Sequence, residues 1–181
     1  MQKREHANSI QIKHRVGAFK LTVLVTALLV SIYLIIISLN SSTLNVSEVH
    51  FSTITGQQIA LNSLQGKPVI VTFWATDCPE CLKEIPLFVD LYQQFHSKGL
   101  EIIAVAMSYD PPNHVITLVN ELHLPYAIAL DLNSELAHAF GDVQLTPSTF
   151  LIRPDGSIET HYLGAFNISD LTTRIETLIK G

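Results

Sequence analysis

Residues 73–81 read FWATDCPEC, and they hold both cysteines of the 181-residue chain, Cys78 and Cys81. The stretch joins two patterns. Upstream, PVIVTFWAT (68–76) is a continuous apolar, β-branched run, as expected of a strand buried on both faces. Downstream, Leu82, Ile85, Val89, Tyr92 and Phe95 recur at helical spacing until Gly99, a residue suited to ending a helix. Pro79 falls at the first helical position, where a missing N–H costs nothing. Cys78 therefore sits where the unpaired first-turn N–H groups of a helix favour a thiolate, the nucleophilic form of cysteine. Cys81, three residues on, shares its helix face and is within reach to close a disulfide or resolve a mixed one.

Working outward, HFSTITGQQIAL predicts a hairpin around Gly56, and Asn62–Gln65 a helical turn ended by Gly66. LEIIAVAMS is a second buried strand. PPNHVITLVNELH predicts a helix with Val115, Leu118, Val119 and Leu122 on one face, followed by a short strand in YAIAL and a short helix in SELAHAFGD. TPSTFLIRPDGSIETHYLG reads as two strands joined at Pro154-Asp155-Gly156. The last helix is expected over about Ser169–Lys180, with Ser169 as its N-cap. Strands alternating with helices and ending in a hairpin predict a three-layer α/β fold with a mixed central sheet.

The excess hydrophobicity of the chain, 48% apolar residues and mean hydropathy +0.31, is concentrated in LTVLVTALLVSIYLIIISL, Leu21 to Leu39. This run has no charge, Pro or Gly, and as a helix it spans about 28 Å, close to the ~30 Å of a bilayer core. It is long for a signal peptide, no small-residue cleavage pattern follows it, and no cysteine follows it to carry a lipid. It reads as an uncleaved transmembrane anchor. Before it stand five basic residues against Glu5 alone, a net +4; from Asn40 onward six basic residues face fifteen acidic ones, a net −9. Basic flanks stay on the cytoplasmic side, so the expected organisation is a cytosolic 1–20, an anchor at 21–39, a polar tether at 40–48 and an exported domain at 49–181. In a bacterium the domain would lie in the periplasm or on the outer envelope face, where disulfides persist. Its acidity argues against nucleic-acid partners, which need a basic stripe.

Other uses of the cysteine pair fit less well. A structural zinc site normally takes four ligands, and the eight histidines do not fall at ligand spacing from the pair; His50 and His96 are far along the chain. A four-residue loop gains little from a purely structural disulfide. Copper(I) accepts two thiolates, but with only two Met in the chain no Met-rich or His-rich segment supports such a role. No haem or nucleotide motif is visible, so the expected redox group is the Cys78–Cys81 pair itself, with no added cofactor or metal.

FWATDCPEC, followed by KEIP (83–86) and by LTPSTFLIRPDG (145–156), resembles the thioredoxin superfamily and within it the membrane-anchored TlpA/ResA/CcmG-like thiol–disulfide oxidoreductases. The resemblance covers roughly residues 47–181 and includes an extra helix–strand unit around 111–130. It implies a thioredoxin-like fold in which Cys78 attacks and Cys81 resolves. Pro147 would be a cis-proline facing the disulfide, and Thr146 would present backbone groups to an extended client segment. Phe73 and Trp74 would pack beside the site, Trp74 on the substrate side or equally as plain core. Glu84, on the same helix face as Cys81, resembles the family's acid, whose burial raises its pKa and lets it exchange a proton with the resolving thiol. Thioredoxin's own acid lies in the preceding strand, where this chain has Thr72. Clients would be disulfide-containing exported proteins, with apocytochrome c among the family's, and a membrane thiol carrier would supply electrons. The extra unit is also similar to that of peroxiredoxins, although FWATDCPEC lacks their Thr-x-x-Cys arrangement.

The departure from the family is Asp77, where most relatives carry Trp. Asp77 and Glu80 place acid on either side of Cys78, and with Pro79, which adds no donor, they are the expected tuning residues. Like charge disfavours a thiolate, and a less stabilised thiolate makes a more reducing couple. The expectation is a reductase.

Overall fold

The computed structural model describes Thr26, residues 28–33 and residues 46–181. Residues 26 and 28–33 are helical, with Leu28, Leu29, Val30, Ile32 and Tyr33 exposed. The rest of the anchor expected at Leu21–Leu39, the basic residues 1–20 and most of the expected tether lie outside the described residues. Among the described residues no helix is long and apolar enough to cross a membrane.

Residues 46–181 belong to one compact unit. Residues 46–48, read from sequence as the end of the tether, form a 3-10 turn whose Val46 is completely buried. The hairpin expected around Gly56 is present, with β1 (His50–Ser52) antiparallel to β2 (Gln58–Ala60). Gly56 sits at φ +83°, a conformation that favours glycine. A 3-10 turn at Leu61–Leu64 follows.

The main sheet has five strands in the order β5-β4-β3-β6-β7. Its centre is β3 (Val69–Trp74), buried at every position, which is why its sequence shows no alternation. On one side it pairs in parallel with β4 (Glu101–Ala106), and β4 with β5 (Ala127–Leu130). On the other it pairs antiparallel with β6 (Ser148–Ile152), which turns back at the expected Pro154–Gly156 corner into β7 (Ile158–Leu163). The sheet is mixed, as expected. Helix α1 (Pro79–Phe95) runs through Pro86 and closes in a 3-10 turn at His96–Lys98, ended by Gly99 at φ +109°. The extra unit is α2 (Pro112–Leu122) with β5. A short α3 (Glu135–Ala139) and the C-terminal α4 (Ile168–Lys180) complete the chain.

The alternating side chains of β3 feed two cores, and these define the three layers. Ile70 and Trp74 face α1, α2 and α4, with Phe88, Val115 and Leu171. Val69, Val71 and Phe73 face the opposite layer, built from the N-terminal segment and α3, with Val46, Phe51 and Phe140. The cap of α4 differs from expectation. Asn167 caps it, accepting from the N–H groups of Ser169 and Asp170, and the helix starts at Ile168. Asn is as good a cap as Ser, and the side chain facing the first free N–H groups decides the start.

In the second core Phe150 meets Phe73 and Phe140 edge-on at 6.0 and 5.0 Å and stacks on His161 at 4.0 Å. Phe150→Ala is expected to cost about 3–5 kcal/mol of stability, read as a lower urea midpoint with an unchanged slope.

Candidate active site

The β3–α1 junction delivers both cysteines. β3 ends at Trp74, and four residues later Cys78 stands as the N-cap of α1 in extended conformation (φ −96°, ψ 103°), with Pro79 as the first helical residue. The Cys81 N–H donates to Cys78 Sγ at 3.2 Å, so the sulfur does the work that a Ser or Asp oxygen does at an ordinary cap. Cys78 and Cys81 are joined as a disulfide, their Cα atoms 5.3 Å apart. Cys78 is half-buried, whereas Cys81 is 3% exposed. One cysteine is partly exposed and the other is enclosed, the asymmetry that an attacking and a resolving residue require.

A residue that the sequence did not single out holds this junction in place. Asp110, from the loop after β4, is 5% exposed. Its Oδ2 accepts the Thr76 N–H at 2.6 Å and its Oδ1 the Thr76 hydroxyl at 2.7 Å. The Met107 N–H also donates to the Trp74 carbonyl at 3.0 Å. The one sequence signal was an acid just beyond the C-terminal end of a buried strand neighbouring β3, the end of an open α/β sheet where sites form.

Register brings the second loop to the same end. Ser148 pairs with Phe73, so Thr146 and Pro147 enter β6 where β3 leaves for Cys78. The Thr146–Pro147 bond is cis. Pro147 is buried, its carbonyl accepts the Gly164 N–H at 2.8 Å, and Thr146 is half-buried. Tyr109, beside Asp110, approaches Thr146 Oγ1 with its hydroxyl at 3.5 Å. The Ser148 hydroxyl lies 2.7 Å from His161 Nε2.

Glu84 lies beneath the pair, 5% exposed, with neither carboxylate oxygen hydrogen-bonded to protein. Burial pushes its pKa up to about 7; the Phe166 main chain, nearby but short of good hydrogen-bond geometry, pulls the other way, and Glu80 adds a little to the rise. Glu84 shares a small cavity with Thr72, Trp74 and Cys81. Thr72, at thioredoxin's acidic position, is occupied elsewhere: its hydroxyl lies 2.9 Å from that of Thr149 in the next strand. Trp74, expected on the substrate side, is instead 4% exposed and lies within this cavity wall, so it offers no surface to a client. The strand alternation that gives β3 its two buried faces turns it inward.

The expected tuning residues are at the surface. Asp77, Pro79 and Glu80 are exposed, and Glu80 is 2.6 Å from Lys83, so part of its charge is answered locally. Among the described residues no three His, Cys, Asp or Glu side chains cluster to hold a metal ion.

The AhpC/TSA family model matches residues 43–161. The chain belongs to that family. Within it, the thiol-disulfide oxidoreductase ResA of Oceanobacillus iheyensis is 34% identical over 114 residues, 62% of this chain and 58% of that protein. The chain thus matches under two thirds of the length of such curated relatives. Among solved structures, StoA of Bacillus subtilis is similar at 27% identity and TM-score 0.61, covering 69% of this chain and 93% of that one. A thiol:disulfide interchange protein of Chlorobium tepidum is similar at 25% identity and TM-score 0.66, covering 72% and 92%. The thioredoxin-like fold and the ResA-like kinship expected from FWATDCPEC are borne out.

Two measurements check the site. Asp110→Ala leaves the Thr76 amide and hydroxyl without their acceptor, and is expected to cost about 2 kcal/mol in urea unfolding, with Asp110→Asn retaining part of it. For Glu84 the folded pKa, about 7, lies above the 4.5 of an unperturbed carboxyl. The folded state then binds the extra proton, so stability is full below pH 4.5 and falls as pH rises toward 7. Glu84→Gln is expected to remove that slope, flattening the unfolding free energy between pH 4.5 and 7.5.

Proposed function

We propose that this chain is a membrane-anchored thiol–disulfide oxidoreductase that reduces disulfides in exported proteins. The observation that carries the reading is the disulfide between half-buried Cys78 and enclosed Cys81 at the start of α1, with buried Glu84 beside it. In the reduced enzyme the Cys78 thiolate, favoured by the α1 N–H groups, attacks a client disulfide; a Cys78–client bond forms and one client thiolate leaves. Glu84 takes the proton of Cys81. The Cys81 thiolate then attacks Cys78 Sγ, releasing the second client thiolate and forming the Cys78–Cys81 disulfide. Two electrons pass from the pair to the client. Thr146 and Pro147 receive the client's extended backbone. A membrane thiol carrier restores the dithiol, and no metal or other cofactor takes part.

The anchor at 21–39 and the charge asymmetry across it support a bacterial inner-membrane protein with its domain in the periplasm or at the outer envelope face. Clients in cytochrome c maturation are one route consistent with the ResA-like kinship. Exposed Asp77 and Glu80 support a reducing couple, Asp77 the more strongly because Lys83 answers Glu80. A peroxidase would use the same Cys78, and hydrogen peroxide consumption by the reduced chain distinguishes it.

Cys81→Ala is expected to trap clients as mixed disulfides through Cys78, and the chain with both cysteines to reduce insulin. Failure to trap any protein while Cys78 stays alkylatable would sink the proposal. Asp77→Asn is expected to shift the couple toward oxidising values by about 10–20 mV, the scale of an exposed charge–charge interaction, in redox titration against glutathione or dithiothreitol. A wild-type potential near the ~−120 mV of the strongest oxidants would overturn the reductase direction.

A further inference from the structure

Among the described residues three buried side-chain polar atoms lack a protein partner, and all three belong to residues of one cavity. They are Trp74 Nε1 and the two carboxylate oxygens of Glu84. The cavity is bounded by Thr72, Trp74, Cys81, Glu84, Leu124 and Tyr126, with about 10 Å3 of room for the centre of a water molecule. That is about what a single water needs, and one placed there has an N–H, a carboxyl and a thiol to bridge. Cys81 and Glu84 are both enclosed, and a client bound at Cys78 would cover the half-buried residue beside them. The proton taken from Cys81 must still reach bulk water before the next turnover.

A second opening lies on the far side of the cavity wall. A groove of about 730 Å3 runs between the N-terminal hairpin and the α2–β5 connection, at the end of β4 and β5 opposite to the cysteine pair. Lys67, Tyr92, Glu101 and His123 border it, and two of its lining residues, Leu124 and Tyr126, also line the small cavity. Tyr126 is 6% exposed and meets the Tyr92 ring edge-on at 6.2 Å. We infer that Tyr126 is a relay residue, and that the proton exchanged between Cys81 and Glu84 enters and leaves through its hydroxyl to water in this groove, at the pole away from the client.

The transfer balances. Protonated Glu84 gives its proton to the cavity water, which passes one of its own to the Tyr126 oxygen, as Tyr126 gives its hydroxyl proton to groove water; water and hydroxyl are both restored and one proton has left. Burial holds the Tyr126 phenol far above the physiological range, so it stays neutral and passes a proton without storing charge. The charged and titratable groups around the route are Glu80 and Lys83 on the exposed side of α1, Lys67, Glu101 and His123 at the groove, and His96, 3.6 Å from Glu101. Lys67 and Glu101 are paired at 2.8 Å. The Phe166 main chain faces Glu84 from the α4 side.

The inference rests on the oxidoreductase reading, and the experiment separates the two. Trp74 is the single tryptophan and shares the cavity with Cys81, so its fluorescence reports closure of the disulfide. The reduced full chain is mixed rapidly with excess insulin, from pH 5.5 to 8.5, in water and in deuterium oxide. Tyr126→Phe is expected to slow disulfide closure about tenfold, on the lower side of acid–base effects, and to enlarge the solvent isotope effect. Tyr92→Phe, which borders the groove and not the cavity, is expected to do neither. In a Glu84→Gln background Tyr126→Phe is expected to add nothing, because the two act in series. Wild-type rates in Tyr126→Phe, or the same slowing with Gln at 84, would overturn the relay while leaving the oxidoreductase reading intact. A wild-type chain inert toward insulin would overturn both.

Discussion

The site depends on one arrangement: a sulfur at the end of a buried strand caps the helix that follows. Cys78 Sγ accepts the Cys81 N–H, so the group that would carry negative charge in the reduced state already occupies the position where α1 best tolerates it. A helix cap is only as good as the loop that presents it, and here the loop is pinned by Asp110 through both polar groups of Thr76. β3 sits at the centre of the sheet, buried on both faces, which fixes where that loop begins. Central strand, clamped loop and sulfur cap form a chain of constraints, each narrowing the freedom of the next.

Glu84 runs against the stability of the fold. A buried carboxyl without a hydrogen-bond partner opposes its own ionisation, and its pKa of about 7 is the result. A glutamine of the same shape would carry no such pH-dependent loss. Stability is given up at neutral pH for a group able to hold or release a proton beside Cys81. Such local conflicts between folding and chemistry are expected at functional sites and nowhere else in a well-consistent sequence.

The sequence made most of this legible where the information was local. A six-residue buried strand, a Cys-x-x-Cys at a helix start, Gly99 at the helix end and the Pro154–Gly156 corner each reveal themselves within a few residues. The mixed sheet follows from their order. What stayed hidden was set by tertiary contact. Asp110 is 34 positions from Thr76, and nothing near it in sequence says which loop it clamps. Trp74 adjoins the cysteines in sequence, but strand alternation sends it inward beneath them. The α4 cap fell to Asn167 rather than Ser169, two equally good capping types separated by two residues, where only backbone direction decides.

Besides Glu84, three acids flank the loop and helix start that carry Cys78, and they are not equivalent. Asp77 is exposed and has no basic neighbour in the CPECLK stretch other than Lys83, which is engaged by Glu80. Glu80 is partly answered by that pairing and also acts inward, adding to the rise of Glu84. Asp110 is buried, and both its oxygens are turned to Thr76, so its charge is spent on geometry. A surface charge in water is screened within about a Debye length, whereas a clamp works at any ionic strength. Salt should therefore weaken the influence of Asp77 on the couple and leave the position of Cys78 unaltered. The reducing character proposed for the pair and the architecture that presents it then rest on different acids and are separable by ionic strength alone.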